Sequence, residues 1–121
     1  MPLSAIQCRK IIQRGRELLD AGSATQAARA FRQAIAADPA CSEAYHGLIS
    51  ALRDAGQLEQ AIGAALAFTA IAPADPSAHA ALSISLQAAG HTGEAQTAAA
   101  RARLLEWKTL LKPAAQPDQS E

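Results

Sequence analysis

The sequence predicts an all-α chain, a right-handed solenoid of three helix-turn-helix units with an extended C-terminal helix. Three observations carry that prediction. Gly22, Gly56 and Gly90 recur at a spacing of 34 residues, and a fixed period of roughly 20 to 50 residues is the signature of stacked repeats. Alanine is the commonest residue, while aromatics amount to Phe31, Tyr45, Phe68 and Trp107, a composition that suits closely approaching helices better than a sheet sandwich. Apolar residues also return at helical spacing on either side of the glycines.

The period is visible as an alignment of three stretches, "LLDAGSATQAARAF", "LRDAGQLEQAIGAA" and "LQAAGHTGEAQTAA". Leu18, Leu52 and Leu86 share one column; Ala27, Ala61 and Ala95 share another; Pro39 recurs as Pro73. The predicted helices cover 4–21, 24–37, 42–55, 58–71, 76–89 and 92–112. In the first unit, Ser23 with Gln26 three residues on reads as a capping box for the second helix. In the second, Tyr45, Leu48, Ile49 and Leu52 form the i, i+3, i+4, i+7 stripe of one helix, and Leu58, Ala61, Ile62, Ala65 and Phe68 begin another. Gly56 between them is the joint, since glycine takes the left-handed conformation that closes a helix.

Pro39 and Pro73 separate the units, because proline cannot continue a helix interior. Asp75 before Pro76 joins a capping side chain to a residue whose missing N–H is harmless in a first turn. Ala27, Ala61 and Ala95 are placed where the two helices of a unit cross, and a leucine there would overpack the crossing. The apolar run from Ala61 to Ala74 fits a helix flanked by neighbours on both sides. The last helix is expected to run through "RLLEWKTLLK" until Pro113 stops it. Leu104, Leu105, Trp107, Leu110 and Leu111 would then cover part of the last apolar face.

This layout resembles the tetratricopeptide repeat, whose pattern is W-x2-L-G-x2-Y, then A-x3-F, then P. Unit one, about 8–41, supplies Ile11, Arg14, Gly15, Leu18, Ala27, Phe31 and Pro39. Unit two, 42–75, supplies Tyr45, Leu48, Ile49, Leu52, Ala61, Ala65 and Pro73. Unit three, 76–109, supplies His79, Leu82, Ser83, Leu86, Ala95, Ala99 and Trp107, with Trp107 in place of the proline. One domain over 1–112 and a disordered polar tail over 113–121 follow from this reading.

Chemistry is sparse. Eleven basic residues balance eleven acidic ones, so no overall field draws nucleic acid or anionic lipid, and neither partner is expected. The basic cluster Arg9, Lys10, Arg14, Arg16 has no interleaved aromatic and Arg101, Arg103, Lys108, Lys112 has only Trp107, too few for a base-stacking platform, and both read as solvated faces. Cys8 and Cys41 have no metal-ligand spacing, and the chain is expected to be reduced and cytoplasmic. His79 is expected to pack in a core column with its nitrogen at the rim, His91 to be solvated beside its turn, and His46 to face inward. Ser50, Ser83 and Ser85 lie in helices and not on a strained elbow. Asp20 and Asp54 read as solvated helix-terminal residues. No catalytic residue, cofactor or metal is expected.

What remains is a surface. The first helix of each unit should line a concave groove of the kind that binds a peptide or helix. The expected lining is Arg9, Ile12, Gln13, Arg16 and Asp20 from unit one, and Glu43, His46, Gly47, Ser50, Arg53 and Asp54 from unit two. Unit three adds Ser77, Ala80, Ala81, Ile84 and Gln87. The groove would grade from basic through mixed to apolar, matching a partner segment with acidic and apolar residues. The resemblance also suggests a comparison with the clamp for acidic chaperone tails, but Ile12, Arg16, Gly47, Ser77 and Ala81 stand at its positions and do not match it. The sequence therefore points to a non-catalytic interaction module. A small secretion-type chaperone, or an oligomer stacking through its terminal faces, are the alternatives.

Overall fold

The chain turns at glycine. In the computed structural model, which describes the backbone of residues 5–115 and the side chains of 5–111, these residues form six helices and no strand: α1 (Ala5–Asp20), α2 (Ala24–Ala37), α3 (Ser42–Asp54), α4 (Leu58–Ile71), α5 (Pro76–Ala88) and α6 (Thr92–Ala115). Gly22, Gly56 and Gly90 have φ of 84°, 76° and 87°. At the α3–α4 joint the Gly56 N–H reaches the Arg53 carbonyl at 3.0 Å and the Gln57 N–H reaches the Leu52 carbonyl at 2.8 Å. That pair is the Schellman closure, which satisfies carbonyls a helix end would leave bare. The α1–α2 and α5–α6 joints repeat it, with Ser23 bonded to Leu18 and His91 to Leu86, each at 2.8 Å.

The same bonds explain why the expected capping box fails. Ser23 stands at the N-cap of α2 but its side chain makes no capping bond. Its N–H, which Gln26 would have to engage, is already committed to the Leu18 carbonyl. Asp75, by contrast, does cap α5: its carboxylate accepts from the Ser77 N–H at 2.9 Å, with Pro76 in the first turn.

Consecutive helices pack in antiparallel pairs, and α1 also touches α3, as α3 touches α5. Among the described residues α2 makes no such approach to α4, nor α4 to α6. The first helices thus form a closed inner layer and the second helices a splayed outer one, the arrangement that curves a stack of repeats. Arg32 Nη2 bridges the outer gap to Gln60 Oε1 at 2.8 Å.

The core runs along the stack in three linked clusters. Phe31 fills the first with Ile12, Ala27, Leu48 and Leu52; Phe68 fills the second with Tyr45, Ile49 and Ala78; Ile62, Leu86, Ala95 and Ala98 make the third. Tyr45 stacks on Phe68 with ring centroids 5.5 Å apart. Ala27, Ala61 and Ala95 are at most 1% exposed, as their position at the helix crossings requires.

Three sequence expectations are corrected. Helix α6 continues past Pro113 to Ala115; a proline late in a helix removes one backbone bond, which one final turn can tolerate. The part of the expected tail at 116–121 lies outside the described residues. Of the residues expected to cover part of the last apolar face, only Leu105 is half-buried, whereas Leu104, Trp107, Leu110 and Leu111 are exposed. Burial on both sides does not account for the apolar character of α4, since Leu66 and Ile71 remain exposed on it.

Candidate partner-binding groove

The inner layer carries a trough in connected segments. Between α1 and α3 lies a depression of about 360 Å³ lined by Arg16, Leu19, Phe31, Glu43, His46, Gly47 and Ser50. Between α3 and α5 a second, of about 190 Å³, is lined by His46, Ile49, Ser50, Arg53, Ser77, Ala80, Ala81 and Ile84. His46 and Ser50 belong to both and join them. Glu43 joins the first to a depression of about 350 Å³ at the N-terminal end, which includes Arg9, Cys8, Asp38 and Cys41.

Helical periodicity explains the membership. His46, Ser50 and Arg53 are spaced i, i+4, i+7 along α3, and Ser77, Ala81 and Ile84 likewise along α5, so each set forms one stripe opposite the face packed on the outer helices. His46 is steadied from below, its ring standing edge-on to Phe68 at a centroid distance of 4.8 Å.

Charge in the trough is distributed differently from the sequence expectation. Arg16 Nη2 donates to Glu43 Oε2 at 2.6 Å, a bidentate-capable cation answered by a carboxylate of the next unit. The first-unit end is therefore less basic than its sequence suggests. Arg53 has no ion pair among the described residues, and its Nε is buried without a hydrogen-bond partner. A buried donor left unmatched costs about 1–3 kcal/mol.

Of the residues expected to line the groove, Arg16, Glu43, His46, Gly47, Ser50 and Arg53 come together with Ser77, Ala80, Ala81 and Ile84. Ile12, at 5% exposure, packs mainly in the core with Ala27 and Phe31 and reaches the trough only as part of the lining of the N-terminal depression beside Arg9. Gln13, Asp20, Asp54 and Gln87 are exposed but line neither depression. Asp20 and Asp54 end α1 and α3, beyond the trough.

Sequence reasoning missed a larger cavity on the opposite face. About 550 Å³ opens between α4 and α6, floored by Leu82 and Leu86 of α5 and walled by Ile62, Leu66, Ala98 and Thr97. Its rim holds His91, whose Nε2 lies 3.5 Å from Glu59 and Nδ1 3.6 Å from Glu94. His79 also faces it, with Nε2 2.9 Å from the Pro73 carbonyl. The splay of the outer helices makes this space. Its one sequence signal was Leu66, an apolar residue off the buried stripe of α4.

Among the described residues no three His, Cys, Asp or Glu side chains gather to hold a metal, and no helix is long and apolar enough to cross a membrane. Cys8 and Cys41 are free thiols.

With the geometry in hand, the comparisons are specific about fold. The family model for the tetratricopeptide repeat matches residues 12–76. Among solved structures, MamA MSR-1 C2 superimposes with a TM-score of 0.75 at 19% identity, over 84% of this chain and 59% of that one. A chain of the CopN-Scc3 complex gives a TM-score of 0.77 at 19% identity, over 94% and 72% respectively. A crystal structure of MamA protein gives 0.77 at 21% identity, over 92% and 61%. This chain thus spans about three fifths of either MamA chain. No curated protein matches the sequence.

Proposed function

This chain belongs to the tetratricopeptide repeat family, and from that premise we propose that it is a non-catalytic interaction module holding an extended or helical segment of another protein in the trough between α1, α3 and α5. The observation that carries this reading is Arg53, a cation with no ion pair among the described residues, set in a trough otherwise walled by Ile49, Ala80, Ala81, Ile84 and the hydroxyls of Ser50 and Ser77. Such a lining suits a segment with an acidic residue for Arg53 and small apolar residues on either side. Arg16 is held by Glu43 and is a secondary contact. The likeness to a chain of the CopN-Scc3 complex supports the coarser part of the reading, since that protein is one member of a protein pair.

The test is affinity capture from the native cell with three forms of the chain: wild type, Arg53→Glu with Ile84→Glu, and Arg29→Glu on the outer side of α2. All three should keep the same helical circular dichroism. A partner held by wild type and by the Arg29 variant but lost by the trough variant is the expected outcome. Equal recovery by the folded trough variant removes the groove from consideration.

A further inference from the structure

Helix α6 outgrows the helix it pairs with. It has 24 residues against 13 in α5, and since the two start from a common turn, the surplus of about 11 residues, roughly 16 Å of helix, projects beyond the N-terminal end of α5. At the base of this projection Leu104 is 44% exposed, and along it Trp107, Leu110 and Leu111 are 63%, 72% and 55% exposed. At about 100° per residue they share one arc of about 120°, which Arg103 enters at its stack-proximal end while Arg101 and Lys108 lie beside it.

Continued stacking does not explain that stripe. Ile62, which belongs to the cluster of Leu86, Ala95 and Ala98, becomes Gln96 one unit later, and the column of Ile35 and Thr69 becomes Arg103. A further hairpin, or a second copy in the same register, would have to bury Gln96 and Arg103. The stack is polar where it would be extended and apolar only on the overhang.

Charge marks the same stretch. The chain is neutral in total, yet residues 101–112 hold Arg101, Arg103, Lys108 and Lys112 against a single acid, Glu106. Arg101, Arg103 and Lys108 are exposed. The overall balance that argues against attraction to anionic lipid therefore does not describe this segment. A second copy docking antiparallel would set the basic flank of Arg101 and Lys108 against itself. A bilayer with anionic headgroups accepts both features at once, taking the leucines below the headgroups, the amphipathic indole at their level and the cations beside the phosphates.

We propose that the overhanging end of α6 is a surface anchor that lies in the interface of an anionic membrane, with Leu104, Trp107, Leu110 and Leu111 buried in lipid and Arg101, Arg103 and Lys108 on its phosphates. The proposal is independent of the groove and changes none of its residues.

Trp107 is the only tryptophan in the chain, so its fluorescence reads the site directly. The full chain is mixed with vesicles of phosphatidylcholine alone or with added phosphatidylglycerol, and emission and co-sedimentation are followed. Blue-shifted emission and sedimentation with the anionic vesicles, reversed by salt, are expected. Arg103→Ala with Lys108→Ala should weaken partition roughly thirtyfold, and Leu110→Glu should abolish it with the helical signal unchanged. Failure to bind anionic vesicles, or equal binding to neutral ones, overturns the proposal. So does a blue shift that appears without lipid and grows with protein concentration, which would assign the stripe to a second copy.

Discussion

The ring of Phe31 occupies the volume that a side chain at Gly47 would need: a Cβ built there would clash with its Cε1, Cζ and Cδ1 atoms. Gly15 meets the same ring from α1, where a Cβ would lie 2.8 Å from Cζ. One buried aromatic of α2 is thus wedged between two glycines on the adjacent inner helices. The second unit reverses the sizes, with Ile49 in the column of Gly15 and Ala65 in that of Phe31. Bulk comes from the inner helix there and from the outer helix in unit one.

Gly47→Ala should therefore destabilise the fold although alanine favours a helix. Phe31 is fully buried and its ring already fills the space a Cβ would need, so overpacking of about 1–3 kcal/mol outweighs a propensity gain of up to about 1 kcal/mol. The urea midpoint should fall. Adding Phe31→Leu should recover part of the loss, and strictly additive losses in the double variant would refute the wedge.

Ser85 offers the opposite sign. It is fully buried, and its hydroxyl has no hydrogen-bond partner. The equivalent residue one unit earlier is Ala51, also fully buried. Ser85→Ala removes an unmatched polar group without opening a large cavity and should stabilise by about 1 kcal/mol. A lower melting temperature would mean that the hydroxyl is satisfied in solution.

Two glycines separate backbone conformation from helix propensity. Both Gly56 and Gly63 have open space where a Cβ would stand, but only Gly56 has a positive φ, of 76°. Gly56→Ala should cost about 1–2 kcal/mol by forcing an L residue into the left-handed region. Gly63→Ala, inside α4, should gain about 0.5–1 kcal/mol. Chemical denaturation of the two single variants checks both signs.

Most of the fold was legible because it rests on local rules. Gly22, Gly56 and Gly90 announced the joints, and Asp75-Pro76 announced a capped start. What escaped depended on neighbours distant in sequence. Ser23 has the right residue type for a cap, but its N–H is spent on the Schellman bond to Leu18. That Ile12 packs mainly in the core and only edges the N-terminal depression follows from the approach of α3, which helical phase does not state. The lowered basicity at Arg16 required knowing that Glu43, 27 residues away, arrives within 2.6 Å. The cavity between α4 and α6 is a consequence of splay, which no residue pattern states.

Comparing the starts of α3 and α5 yields a final prediction. Cys41 and Asp75 occupy equivalent N-cap positions with similar backbone angles, φ −79° and ψ 102° against φ −89° and ψ 113°. Asp75 accepts the Ser77 N–H, whereas Cys41 makes no side-chain capping bond. Cys41→Ser places a good acceptor on a backbone already shaped for it, within reach of the Glu43 N–H, and serine is close to cysteine in size. A gain of up to about 1 kcal/mol is expected, reduced by the apolar contact that the half-buried sulfur makes with the first core cluster. Asp75→Ala should lose a similar amount at α5. Measured together, the two variants test whether the unit boundaries are held by caps: opposite shifts in the denaturation midpoint support this, and a destabilised Cys41→Ser would show that sulfur packing outweighs the cap.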